Sequence, residues 1–276
     1  MSEAEILNHR NGAIRTYSWK PTQTKGAGII FVHGYAEYGG RYKQTASFFV
    51  EQGFSVFAFD HHGHGNSYGK QGLITSWKYL IEDASLCVET FISEHPEIHS
   101  WFIIGHSMGG GISTFLAKKF GNTIQGVLFS APLIDQAIQT PAILLRIGKV
   151  VANIAPSLGI IPFDQSAQSR DPDVLKSFFA DELNYKGSLR AGTGFQLLEM
   201  IKEIDLLPSQ ITLPVWFGHS SIDRLTSFDA SRNFFNRVAS KDKTFKKYDG
   251  LFHEIMNEPE KRIVIQDMLI WIQKRL

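Results

Sequence analysis

The sequence predicts an α/β fold: a mostly parallel central sheet, helices on both of its faces, and a helical insertion. Three observations predict it. Short apolar runs of strand length alternate with amphipathic stretches of helical length along most of the chain. The run Trp101–Ile104 (WFII) breaks straight into Gly105-His106-Ser107-Met108-Gly109 and then turns helical. Residues 131–213 contain no good strand run.

Taken in order, Gly28–Val32 (GIIFV) reads as a buried strand, because parallel strands are covered on both faces and become continuous apolar runs. Tyr42–Gln52 reads as a helix closed by Gly53, and Phe54–Phe59 (FSVFAF) as the next strand. Ile81–Glu94 is a helix stopped at His95-Pro96. Trp101–Ile104 is a strand, Gly109–Phe120 a helix of mixed small and apolar residues, and Ile124–Ser130 a strand. Late in the chain come a strand at Pro214–Phe217, a helix at Phe228–Ala239, a strand at Lys243–Tyr248 and a last helix at Pro259–Arg275.

The interruption holds an apolar stretch, Pro141–Ala155 (PAILLRIGKVVANIA), then Pro156, Pro162 and the polar segment SAQSRDPD. Val174–Ala180 and Gly194–Ile204 read as further helices. The division is therefore a single domain, with residues 1–132 and 208–276 as its core and 133–207 as a helical cap. Ligands bind outside the carboxyl ends of the strands in open α/β sheets. The cap is expected to roof that site.

Composition bounds the partners. The chain has 276 residues, 43% of them apolar and 20% charged, enough for one large core. The net charge of +1 leaves no electrostatic footprint for nucleic acid. The 21 phenylalanines suit a thick core or an acyl-binding pocket, the core being the commoner use. Cys87 is the single cysteine, so no disulfide can form within the chain and a reducing compartment is compatible. Residues 1–12 carry acidic side chains and no long apolar run, unlike a signal peptide, and no stretch of membrane-spanning length exists. Cytoplasmic residence is expected.

The chemistry starts at Ser107. A serine hydroxyl is a poor nucleophile until a base takes its proton and an acid orients that base. A G-x-S-x-G turn between strand and helix exposes the serine, and the flanking glycines relieve the crowding. On this architecture the acid and then the histidine follow the serine in sequence. Asp223 in PVWFGHSSIDRL and His253 in TFKKYDGLFHEI each lie just past a late strand. Taken singly, Ser107 could be a plain turn residue, Asp223 a helix cap in competition with Asp229, and His253 a solvated loop histidine. Asp205 precedes its strand and sits on the wrong side. The joint order of Ser107, Asp223 and His253 makes a catalytic triad the better reading.

An oxyanion needs fixed N–H donors. The Met108 N–H follows the nucleophile and opens a helix, whose dipole helps. The Tyr35 N–H, in HGYAEYGGRY after the first predicted strand, is the second candidate, with an exposed loop aromatic as its plain alternative. FDHHGHGNS holds three histidines within four residues. No second ligand cluster pairs with them, and the glycines suggest a packed turn, so no metal is assigned. Asp60 and Ser67 are read as organisers of that backbone, and His106 as a packing residue.

These motifs together resemble the α/β-hydrolase superfamily, and within it the monoglyceride lipase and lysophospholipase-like branch. HGYAEYGGRY (33–42) is similar to that branch's HG-x-x-E-H-x-GRY loop, with Tyr38 where histidine is usual. DHHGHGNS (60–67), GHSMGG (105–110), SSIDRL (220–225) and YDGLFHE (248–254) resemble its other core motifs. Ser220 and Ser221 replace the small-residue pair usual in the acid loop. QSRDP (168–172) and GFQLL (194–198) resemble its cap. The resemblance covers nearly the whole chain. It implies an acyl-enzyme mechanism with no cofactor, acting on a small lipid ester, foremost a monoacylglycerol. Lysophospholipase and general carboxylesterase activity stay open, and a non-catalytic binding protein on the same fold is the remote alternative.

The resemblance also implies that the insertion is a lid. Within Pro141–Ala155, Leu144, Leu145, Ile147 and Val151 are the residues expected to meet substrate, and only Arg146 and Lys149 are charged. The stretch is too short to span a bilayer. It suits either transient docking at a membrane surface or packing on the core, and both readings stay open. Oligomeric state has no mark in the sequence.

Overall fold

A computed structural model gives the structure of residues 1–137, 142–162 and 164–276, with the side chains of 142–147 and 165 left out of the description. The strands are β1 (Ser2–Leu7), β2 (Ala13–Trp19), β3 (Ala27–Val32), β4 (Ser55–Phe59), β5 (Ser100–His106), β6 (Gly126–Ser130), β7 (Gly159–Ile161), β8 (Leu189–Arg190), β9 (Val215–Ser220) and β10 (Lys243–Tyr248). The helices are α1 (Lys43–Glu51), α2 (Trp77–Glu94), α3 (Met108–Phe120), α4 (Ala142–Ile154), α5 (Pro172–Ala180), α6 (Ala191–Ile204), α7 (Phe228–Arg237) and α8 (Lys261–Gln273).

The main sheet runs β1-β2-β4-β3-β5-β6-β9-β10. β4 through β10 are parallel, and β2 joins β4, and β1 joins β2, antiparallel. Alternate side chains of each central strand feed two separate cores. Ile30, Val32, Ile103 and Val127 pack with α2, α3 and α7 on one face. Ile29, Phe31, Phe102, Ile104 and Leu128 pack with α1 and α8 on the other. Both faces are dry, so these strands have no polar alternation to show.

β3 lies between β4 and β5, so the chain leaves β3 on one side and returns on the other. Such a reversal opens a crevice at the carboxyl ends of the strands. The turn after β3 and the turn after β5 both end there.

The alternating pattern from Gly28 to Ser130 and from Pro214 onward stands within a few residues, except that α2 begins four residues earlier than Ile81. Two strand assignments need correction. β1 and β2 were not visible in the sequence, because β2 (AIRTYSW) is a mixed-polarity strand that pairs with an exposed edge. Residues 131–213 do contain strand: β7 and β8 pair antiparallel, Gly159 with Arg190 and Ile161 with Leu189. Three and two residues are too short for a periodic signal. α4, α5 and α6 all fall in the segment between β6 and β9, and α4 packs on α6, which packs on α2 and α3.

Candidate active site

β5 and α3 meet at Ser107, whose φ of +53° and ψ of −121° place a non-glycine residue in a sparsely populated region. The surrounding structure over-determines that turn. Ser107 N–H donates to Ser130 O at 3.0 Å, and Ser107 O accepts from Gly111 N–H at 3.1 Å and Leu133 N–H at 2.8 Å. The flanking glycines are there for close approach. A Cβ on Gly109 would stand 2.0 Å from Val32 O, and one on Gly105 2.3 Å from Ser113 Oγ.

β9 and its following turn carry Asp223, and the turn after β10 carries His253. Asp223 Oδ2 accepts from His253 Nδ1 at 2.7 Å. Asp223 Oδ1 accepts backbone N–H bonds from Leu225 at 2.8 Å and Thr226 at 3.1 Å, so the carboxylate is held from both sides. α7 has its own cap, because Ser227 Oγ accepts from Ala230 N–H. The neighbours settle the charge states. Burial works to raise the Asp223 pKa, but the two histidines beside it hold it well below the usual carboxylate range. Burial works to lower the His253 pKa, and the Asp223 charge overrides it, so His253 ends above the ordinary imidazole value. With Nδ1 committed, Nε2 is the nitrogen of His253 left for a serine proton.

His106 stacks on His253 at 4.8 Å, and its Nδ1 lies 3.1 Å from Ser130 O. Burial and the neighbouring His253 push its pKa down to about 4, so it stays neutral as a packing ring. His33, His61 and His64 are buried against one another, with ring nitrogens bonded to the carbonyls of Gly34, His33 and His62. Asp60 accepts from Gly39 N–H, Asn66 N–H and Tyr17 O–H, and Ser67 Oγ donates to Asp60 O. Asp60 and Ser67 thus tie the histidine loop to the loop after β3.

A cavity of about 450 Å³ opens over Ser107. Its lining includes Tyr35, Met108, Ser107 and His253, so the structure brings these sequence-predicted residues to one place. Val151 lines it too, whereas the side chains of Leu144, Leu145 and Ile147 lie outside the described residues. Most of the apolar wall comes from residues the sequence did not single out, notably Leu197, Leu198 and Ile201 of α6 and Ile160 and Ile161 of β7. The GFQLL motif pointed to α6 but not to which faces turn inward.

Beside His253 the lining is charged. Glu37 Oε1 accepts from Gly34 N–H at 2.7 Å and Tyr42 O–H at 2.8 Å, and Glu37 Oε2 from Arg41 Nη1 at 2.9 Å. Arg41 also grips Glu254 with both Nη atoms, at 2.9 and 2.8 Å. Both carboxylates line the cavity and share this one cation. Sequence analysis missed Glu37, Arg41 and Glu254, and missed His219 and Thr226 next to Asp223. The first three stood within quoted motifs, but nothing local told that they touch.

Among known proteins, the chain matches the family described as serine aminopeptidase, S33, over residues 23–260. It is 33% identical to the monoacylglycerol lipase of Mycolicibacterium smegmatis, over 94% of this chain and 92% of that one. It is 29% identical to the monoglyceride lipase of Homo sapiens, over 93% of this chain and 86% of that one. The solved structure of Paleococcus ferrophilus monoacylglycerol lipase superposes with a TM-score of 0.82 at 28% identity, covering 95% of this chain and 99% of the other. The chain belongs to the serine aminopeptidase S33 family and has the α/β-hydrolase fold.

Proposed function

We propose that this chain is a serine ester hydrolase that cleaves monoacylglycerols to fatty acid and glycerol through an acyl-enzyme intermediate, with Ser107, Asp223 and His253 as its triad. The observation that carries the reading is the meeting of the strained Ser107 turn and the Asp223–His253 pair at the floor of one largely apolar cavity. The family match and the relatives named above support it.

Ser107 Oγ attacks the ester carbonyl and gives its proton to His253 Nε2. The Met108 and Tyr35 backbone N–H groups receive the developing oxyanion. His253 then protonates the glycerol oxygen as the C–O bond breaks. Water, deprotonated by His253, attacks the acyl-enzyme, and the fatty acid leaves with Ser107 restored. Asp223 holds the imidazole and stabilises its charged form throughout. Residues 133–207 act as the cap over the acyl chain, and no step needs a cofactor.

The charge beside His253 selects the head group. Glu37 and Glu254 carry two negative charges against the one positive charge of Arg41. A phosphate placed there meets net repulsion, and neutral glycerol does not. Fatty-acid release is expected to be at least about tenfold faster from monooleoylglycerol than from lysophosphatidylcholine, with Ser107→Ala as the blank. Equal or faster release from the lysophospholipid would move the function to the lysophospholipase reading.

The cap is also the proposed membrane contact. Ile154 is 79% exposed, Leu158 54% and Ile161 50%, and Ile161 lines the cavity as well. An apolar rim of this kind leads from a lipid surface into the site. None of the described helices is long and apolar enough to cross a membrane. Wild-type protein should float with phosphatidylcholine vesicles, and Ile154→Asp/Leu158→Asp should lower the floated fraction about fivefold or more. Wild type left at the bottom of the gradient sinks the docking idea.

A further inference from the structure

Asp223 Oδ2 serves two imidazoles. One is His253. The other is His219, four residues before Asp223 at the end of β9, with Nε2 3.2 Å from the same oxygen. Thr226 Oγ1 closes the group, 3.0 Å from Oδ2, 3.3 Å from His219 Nε2 and 3.4 Å from His253 Nδ1. His219 is fully buried, edge-on to Phe228 at 5.8 Å. Its Nδ1 has no hydrogen-bond partner among the described residues. That fact selects a tautomer. A ring protonated only at Nε2 leaves just a lone pair unmet at Nδ1, while a charged ring would bury an N–H with no acceptor. His219 therefore donates to Asp223 as a neutral imidazole.

We propose that His219 is a positioning residue of the proposed triad: its Nε2–H holds Asp223 Oδ2 toward His253 and tempers the pull of that oxygen on the His253 proton. The inference rests on the serine-hydrolase reading above. Two effects follow from one hydrogen bond. The carboxylate is pinned about its terminal torsion, with Oδ1 on the Leu225 and Thr226 backbone and Oδ2 between the rings. Part of the charge on Oδ2 is also answered by His219, so less of it acts on His253.

The sign of the pH effect is fixed by what faces His253. Asp223 comes from the turn after β9, Glu254 adjoins it in the chain, Glu37 comes from the loop after β3, and His106 stacks from the end of β5. Arg41 bridges the two glutamates. Only Asp223 changes its bonding when His219 is lost. Its charge then acts more fully on His253 and raises the His253 pKa further. The general base works only when neutral. The acid limb of kcat/KM must therefore move to higher pH.

The test is the pH profile of wild type, His219→Leu and His219→Gln on monooleoylglycerol, with Ser107→Ala alongside. His219→Leu should move the acid limb up by about half to one pH unit. Its kcat should fall about tenfold with KM near wild type, because the loss is in positioning rather than binding. His219→Gln keeps an N–H able to reach Oδ2 and should restore the wild-type limb. A His219→Leu limb that coincides with wild type, in an enzyme whose hydrolysis needs Ser107, overturns the role of His219 alone. Hydrolysis that survives Ser107→Ala overturns both this role and the hydrolase reading. A readout independent of variant folding is nitrogen-15 NMR of the wild-type histidines from about pH 5 to 9. His219 should read as a neutral Nε2–H ring, and an Nδ1–H ring would remove the bond and the proposal with it.

Discussion

Ser107→Ala is expected to lower kcat/KM on a monoacylglycerol by about 10^4- to 10^6-fold while leaving the fold intact. The size follows from the loss of the only atom able to form the acyl-enzyme. The intact fold follows from how the turn is held. Every hydrogen bond found for Ser107 is made by its backbone: N–H to Ser130 O, and carbonyl from Gly111 and Leu133. Alanine keeps all three. It also keeps a Cβ in the left-handed conformation, which Ala36 and Ala131 already tolerate elsewhere in the chain. The melting temperature should therefore stay within about 2 °C of wild type. Full activity in Ser107→Ala, measured as fatty-acid release, would end the nucleophile assignment. A large drop in melting temperature would mean that the hydroxyl carries structure that the bonding does not show.

Arg41→Leu should be the most damaging single change away from the proposed triad. The guanidinium lies between Glu37 and Glu254, each with a side chain 5% exposed, and stands over the Phe178 ring of α5 at 5.3 Å. Removing it leaves two carboxylates buried side by side without a cation. Breaking a buried pair in this way costs about 3–5 kcal/mol, which for a chain of this size lowers the melting temperature by about 10 °C. Activity should fall as well. Glu37 holds Gly34 N–H, at the base of the loop that carries the Tyr35 N–H. Arg41→Lys should recover only part of either loss, because an ammonium cannot fork across two carboxylates. The triple variant Glu37→Gln/Arg41→Leu/Glu254→Gln should be more stable than Arg41→Leu, since no uncompensated charge remains buried. Thermal unfolding of the four proteins checks this. Arg41→Leu melting with wild type would show that the cluster carries no structural weight.

Much of this protein could be read from its residues in order, and the reason is local. β3, β4, β5 and β6 are buried on both faces, so each appears as an unbroken apolar run bounded by turns. The turn at Ser107 could be read because close backbone approach admits only glycine at 105 and 109. Asp223 and His253 could be picked from their places just after strands, since this topology carries the carboxyl ends of β9 and β10 to the crevice. The Tyr35 loop and the Asp60 loop were legible for the same reason.

What the sequence determined by itself, then, is the order of elements and the identity of the residues that a sharp turn or a doubly buried strand demands. Tertiary structure alone decided which side chains share a site across long stretches of chain. Arg41 reaches Glu254 over 213 positions, and nothing within either motif names the other. β1 and β2 exist because β4 offers β2 an edge to pair with, a partner that their own sequence does not display. The cavity wall depends on which faces of α6 and β7 turn inward, and that is settled by what α6 packs against. His219 took its place beside Asp223 only when the chain after β9 turned back on itself, because hydrogen-bond geometry is set in space and not by spacing along the chain.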